Sequence, residues 1–238
     1  MYSSGVTSRL RARPLLAHDD GYLGLGWPAL EWLERNTGPA MKTLETGSGA
    51  STVVFAASGA SHLAISPSPD EHARILRYCA EERISTEGVR FVAESSHTAL
   101  AGTWDAEPLD VVLIDGAHGF PFPILDWYYT APHLRVDGRV LVDDAYQPSV
   151  NLLTRFLRLS QAWELEEVLG YRTVCFRKLD SSFMGFDWDD FELGRSRFDY
   201  LPPLPRLAAS MRHRLLDRSP LAGLLRRRSE RRSRRIPR

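Results

Sequence analysis

The stretch from Met41 to Thr52 (Met-Lys-Thr-Leu-Glu-Thr-Gly-Ser-Gly-Ala-Ser-Thr) constrains the fold more than any other part of the chain. It reads as a short buried strand, a tight turn carrying Gly47 and Gly49, and the first turn of a helix. Gly47 reaches positive φ at no steric cost, and Gly49 has no Cβ to hold a ligand away. Such a turn brings backbone N–H groups and a helix N-terminus up to whatever binds there. A dinucleotide-binding fingerprint adds a third glycine for close helix–strand packing. Here that position is Thr52.

The chain downstream repeats the same alternation. Strands are expected at His62–Ser66, Val89–Ala93, Leu109–Asp115 and Gly138–Asp144, with helices over Thr52–Ser58, Asp70–Glu82, Phe122–Leu134 and Val150–Leu159. Leu109–Asp115 is a near-continuous apolar run, the pattern of a strand covered on both faces. Strands alternating with helices predict an α/β fold with a parallel sheet and right-handed crossovers. Trp163–Leu169 and Tyr171–Lys178 then read as two strands meeting at Gly170, a closing pair that a plain doubly wound nucleotide fold lacks. Pro28–Arg35 fits a helix with proline in its first turn, while residues 1–20 show no period and read as a flexible lead-in. With 238 residues and 43% hydrophobic content, one domain with appendages is expected. No apolar run has the length of a membrane span, and no continuous apolar core follows the N-terminal arginines, so neither a span nor a secretory signal is expected. Cys79 and Cys175, far apart in sequence, read as buried thiols of a reduced cytoplasmic protein.

In an open parallel sheet, ligands lie beyond the carboxyl ends of the strands. Those ends carry Gly47 and Gly49 after the first strand, Ser66 after the second, and Glu94, Ser95 and Ser96 after the third. Asp115 and His118 follow the fourth, and Asp143 and Asp144 the fifth. If the fourth and fifth strands are neighbours, their backbones lie about 4.8 Å apart. Carboxylates that close repel, so one is protonated or a cation sits between them. Three hard oxygen donors suit Mg²⁺ or a similar divalent ion. The other reading lets Asp143 or Asp144 cap the next helix, bonds Asp115 to loop amides, and makes His118 a backbone-bonded loop histidine.

Glu45-x-Gly47-x-Gly49 at the end of the first strand resembles the first motif of class I S-adenosylmethionine (SAM)-dependent methyltransferases. Asp115-Gly116-Ala117-His118, followed by Asp143-Asp144 after the next strand, is similar to a metal-dependent bacterial group. That group comprises the macrolide-sugar O-methyltransferases and their catechol O-methyltransferase-like relatives. The resemblance covers residues 28–180 and implies a Rossmann-like, seven-stranded, mostly parallel sheet with an antiparallel last strand and helices on both faces. It implies SAM held by Glu45, Gly47, Gly49, Ser66, Ser95, Ser96 and Asp115. It further implies a divalent ion, Mg²⁺ or another, on Asp115, Asp143 and Asp144, with His118 as the base that deprotonates a small-molecule or sugar hydroxyl. Ser66 departs from the family, which places Asp or Glu there for the ribose; Asp70 or Glu71 is the nearest substitute, reaching back from the following helix. Two other functions are weighed: a degenerate methyltransferase-fold module that docks a partner, supported by Ser66, and an NAD-type oxidoreductase, opposed by Thr52.

Net charge is zero but unevenly placed. Residues 205–238 hold twelve arginines against Asp217 and Glu230, a net +10, leaving −10 on the rest. A solvated tail, peripheral contact with anionic lipid at the inner membrane surface, and nucleic-acid binding are the candidate readings for residues 204–238. Nucleic acid ranks last because aromatics are not interleaved there. Residues 181–203 mix aromatics with acids and read as a strap packed on the core, with a lid or a dimer contact as alternatives.

Overall fold

The computed structural model describes residues 5–15, 24–102 and 108–183, together with Met211. In chain order the elements are α1 (Val6–Ala12), α2 (Trp27–Asn36), β1 (Lys42–Thr46), α3 (Ala50–Ser58), β2 (Ser61–Ile65), α4 (Pro69–Glu81) and β3 (Val89–Val92). Then come α5 (Ser96–Ala99), β4 (Leu109–Ile114), α6 (Phe122–Thr130), β5 (Leu134–Val142), α7 (Pro148–Leu159), β6 (Trp163–Leu169) and β7 (Thr173–Lys178). The strands form one sheet in the order β3-β2-β1-β4-β5-β7-β6. The first five run parallel, and β7 lies antiparallel to both β5 and β6. This is the expected α/β architecture.

β4 sits between β1 and β5, and its alternate residues feed two cores. Val111 and Leu113 pack on one face with Leu30, Leu33, Phe55 and Ile75 from α2, α3 and α4. Val112 and Ile114 pack on the other with Trp127, Leu153 and Leu157 from α6 and α7. A strand with no polar face is stable only with helices on both sides, as here. Cys79 and Cys175 are free, buried thiols; burial pushes Cys79 up to about 11 and Cys175 higher still.

Two local expectations change. Val6–Ala12 form a helix inside the stretch read as a lead-in, with Val6 and Leu10 buried and Thr7 bonded to Glu34. α6 ends at Thr130, short of Leu134, because Leu134 already pairs with Leu109 as the start of β5. The four-residue α5 is too short to leave a period in the sequence. Of the aromatic and acidic stretch 181–203, only the first three residues are described: Phe183 accepts a bond from Trp163 Nε1 at 2.6 Å and packs its ring on Trp127. Residues 184–203 and, apart from Met211, the arginine-rich segment lie outside the described residues. Among those described, no helix is long and apolar enough to cross a membrane.

Candidate active site

The parallel strands end at one edge of the sheet, where a cavity of about 380 Å³ opens between the β1, β2, β3 and β4 termini. Its wall includes Gly47, Ser66, Ser95, Ser96 and Asp115, five of the seven residues assigned to the cofactor from sequence. The volume lies in the range of small-molecule sites.

Gly47 has φ +95°, and its N–H donates to the Ile65 carbonyl at 2.8 Å. A Cβ at Gly47 would lie 2.4 Å from the Asp115 carbonyl oxygen, so glycine is required by conformation and by space. A Cβ at Gly49 would meet nothing within 4 Å, so this backbone is left open to a ligand. Glu45 and Gly49 are not on the cavity wall. Glu45 is fully buried, accepting bonds from Ser51 at 2.6 Å and from Thr52, and lies 3.1 Å from His62 Nε2. Thr52 Oγ1 also accepts the Gly49 N–H at 2.9 Å. The residue that breaks the dinucleotide fingerprint therefore ties strand, turn and helix together.

Ser66 is the departure in the sequence pattern, and an acid from the next helix bonds to it. Glu71 on α4 reaches back to the end of β2, where its Oε2 accepts from Ser66 Oγ at 2.8 Å and Ser48 Oγ at 2.7 Å. Glu71 lines the cavity, so an acid is present there after all, supplied by a helix rather than a strand. His97 and Phe122 add an aromatic pair to the same wall, ring centroids 5.3 Å apart. Sequence reading assigned neither Phe122 nor His97 to the site. Asp126 was missed as well: it is fully buried on α6 beside Ser96 and Thr46, and burial pushes its carboxyl up.

Past the cavity, the β4 and β5 termini converge as expected from their pairing. His118 lies between them, Nε2 3.6 Å from Asp115 Oδ1 and Nδ1 3.5 Å from Asp144 Oδ2. Burial pushes Asp115 up to about 7, against the pull of His118 and with the Asp143 charge adding to the rise. His118 is raised by Asp115 and further by Asp144 and Asp143, against burial. Asp144 has φ +52°, a conformation that costs a non-glycine residue and persists only when surroundings hold it.

Two of these carboxylates meet a cation of the chain itself. Arg172, in the turn just before β7, places Nη2 2.7 Å from Asp143 Oδ2 and 2.7 Å from Asp144 Oδ1. Asp143 Oδ1 accepts from Thr173 Oγ1, and Asp144 Oδ2 accepts from Gln147 Nε2 at 2.9 Å. Among the described residues, no group of His, Cys, Asp or Glu is arranged to hold a metal ion. Of the three acids read as ligands from sequence, Asp143 and Asp144 have a guanidinium between them. Sequence alone gave no signal for Arg172, since it arrives from a hairpin beyond α7.

Comparison with known proteins agrees with this fold. Residues 44–145 match a family model described as a methyltransferase domain. No curated protein matches the chain. Among solved structures, the O-methyltransferase TomG from Streptomyces achromogenes, in complex with SAM, superposes with a TM-score of 0.58 at 15% identity. That match covers 76% of this chain and 92% of TomG. A proposed caffeoyl-CoA O-methyltransferase from Staphylococcus aureus gives 0.58 at 15% identity, over 74% and 92% of the two chains. An rRNA methylase from Streptococcus thermophilus gives 0.50 at 15% identity, over 64% and 95%. The fold is that of SAM-dependent methyltransferases.

Proposed function

We propose that the protein is a SAM-dependent methyltransferase that acts on a hydroxyl of a small molecule. One observation carries this reading: Asp115 belongs both to the wall of the glycine-turn cavity and to the pair of acids flanking His118. Donor site and proton acceptor thus share a residue. SAM supplies an electrophilic methyl on a sulfonium, which an oxygen nucleophile displaces in line. Holding the two reactants at near-attack distance can lower the barrier by several kcal/mol.

The residues fit the parts of SAM by their chemistry. The turn at Gly47–Gly49 offers open backbone, Glu71 offers a carboxylate for ribose hydroxyls, and the His97–Phe122 pair with Ser95 and Ser96 suits a flat base. A neutral imidazole can take the acceptor's proton as oxygen attacks. His118 Nε2 is buried without a hydrogen-bond partner, which leaves it free to take that proton, and Asp115 and Asp144 stabilise the imidazolium that forms. Exposed Tyr146 and Tyr171, ring centroids 6.0 Å apart, flank Asp144 and Arg172 and suit an acceptor with an apolar face. The Glu71 carboxylate on the cavity wall weighs against a degenerate module, whose main support was the lack of an acid beside Ser66.

Isothermal titration with SAM tests the donor half. His118→Ala is expected to bind SAM within about twofold of wild type, yet lose methyl transfer to a panel of hydroxyl acceptors by about 10²-fold or more. Failure of the folded wild type to bind SAM would sink the reading.

A further inference from the structure

We propose that the Arg172 guanidinium is the permanent cation of the acceptor site, holding Asp143 and Asp144 where a divalent ion would otherwise be needed. This rests on the methyltransferase reading and deepens it: the site would deprotonate its acceptor through His118 without a metal.

Three observations carry it. First, the two acids already have a cation between them. A single nitrogen of Arg172 bridges the two carboxylates at 2.7 Å each, and Thr173 and Gln147 occupy their other oxygens. Asp143 and Asp144 are buried, so those bonds are not exchanged freely for water. Second, the arginine is locked by backbone as well as side chain. The Ala145 N–H donates to the Arg172 carbonyl at 2.8 Å, immediately past Asp144. The antiparallel register of β5 and β7, Val142 opposite Val174, sets that contact. Third, the clamp has a geometric task. It holds Asp144 at positive φ, and this residue's Oδ2 faces His118 Nδ1.

A divalent ion bound directly by these oxygens needs ligand distances of about 2.0–2.6 Å and several free lone pairs. It would have to expel a guanidinium that already pairs with both acids, and it would repel that cation at short range. Arginine stays charged at every pH the protein meets, so this cation cannot be lost by deprotonation. Arg172 is accordingly a positioning residue: it acts on the acceptor through Asp144 and His118.

Mn²⁺ titration of the full chain, followed by the spin-resonance signal of free Mn²⁺, tests the proposal, with SAM titration in the presence of chelator run on the same samples. Wild type is expected to take up no Mn²⁺ to about 1 mM, the weak end of carboxylate-cage affinities. Arg172→Ala, folded by circular dichroism, is expected to bind Mn²⁺ at least about tenfold more tightly than wild type. Arg172→Lys is expected to restore most of the exclusion. Wild-type Mn²⁺ binding that Asp144→Asn abolishes overturns the proposal, and so does a folded Arg172→Ala chain that takes no Mn²⁺. If Arg172→Ala does not fold, the wild-type titration decides alone. Loss of SAM binding with Mn²⁺ still excluded would instead count against the methyltransferase reading and leave the charge assignment standing.

Discussion

Glu71 brings a carboxylate to a strand end that lacks one. The end of β2 offers only a serine, but the Ser68 cap sets the start of α4, and Glu71 in its first turn then points back to Ser66 and Ser48. A carboxylate that hydrogen-bonds ribose hydroxyls contributes roughly 1.5–3 kcal/mol. Glu71→Ala should therefore raise the SAM dissociation constant by about 10–100-fold in a calorimetric titration. Its melting temperature should change little, because the residue is only part-buried. His118 makes a second residue-scale prediction. Its raised pKa keeps the imidazole protonated to higher pH than a free histidine, so the neutral form needed for proton uptake appears only on the alkaline side of about 6.5. The activity limb should rise across that range. NMR titration of His118 should place its midpoint above the ordinary value, and Asp115→Asn, which removes the largest cause, should bring it down. A midpoint unmoved by Asp115→Asn would remove the carboxylate from the base assembly.

The elements show which local signals suffice and which do not. The glycine turn, the two-face burial of β4 and the β6–β7 pair were all legible, because each depends on residues close in sequence. The end of α6 was not. The chain just past its end is held by the sheet: Lys178 Nζ on β7 donates to the carbonyl of Ala131, the C-cap, at 2.8 Å and to that of Leu134, the first residue of β5, at 2.6 Å. Burial lowers the Lys178 pKa, yet the ammonium remains the group that satisfies both carbonyls. No window along α6 contains that donor. The same holds for α1, a seven-residue helix with too few apolar positions to show a period. It is held by Thr7 on Glu34, by Arg9 Nη1 on the Glu82 carbonyl at 3.0 Å, and by Arg11 over the Trp27 ring at 4.4 Å. Lys178→Met keeps the apolar stem but strands two buried carbonyls, at about 1–3 kcal/mol each. Urea denaturation should show a stability loss of about 2–4 kcal/mol with an unchanged m-value. A loss below about 0.5 kcal/mol would mean that water replaces the ammonium.

At the scale of the whole chain, the acids at the carboxyl edge were legible and their neutralisation was not. Asp115, Asp143 and Asp144 follow apolar strands that the sequence marks clearly, so their convergence could be anticipated. Arg172 comes from the hairpin that folds back beside β5, a contact set by sheet order and not by spacing. Charge is also divided between regions that the net value conceals. Residues 205–238 carry +10, and the remainder carries −10. Basic residues near an anionic bilayer gain about 1 kcal/mol each, and the attraction decays within a Debye length of about 8 Å at physiological ionic strength. Leu207, Met211, Leu215 and Leu216 stand at helical spacing just before the arginine block, so the same segment can add apolar contact to charge. The expected outcome is that the full chain floats with phosphatidylserine vesicles at low salt and is released as salt rises to about 0.5 M. A chain ending at Pro203 should stay at the bottom of the gradient, and neutral vesicles should retain neither form. Flotation of the truncated chain equal to that of the full chain would move the membrane contact away from the arginines. Binding unaffected by salt would make it apolar rather than electrostatic.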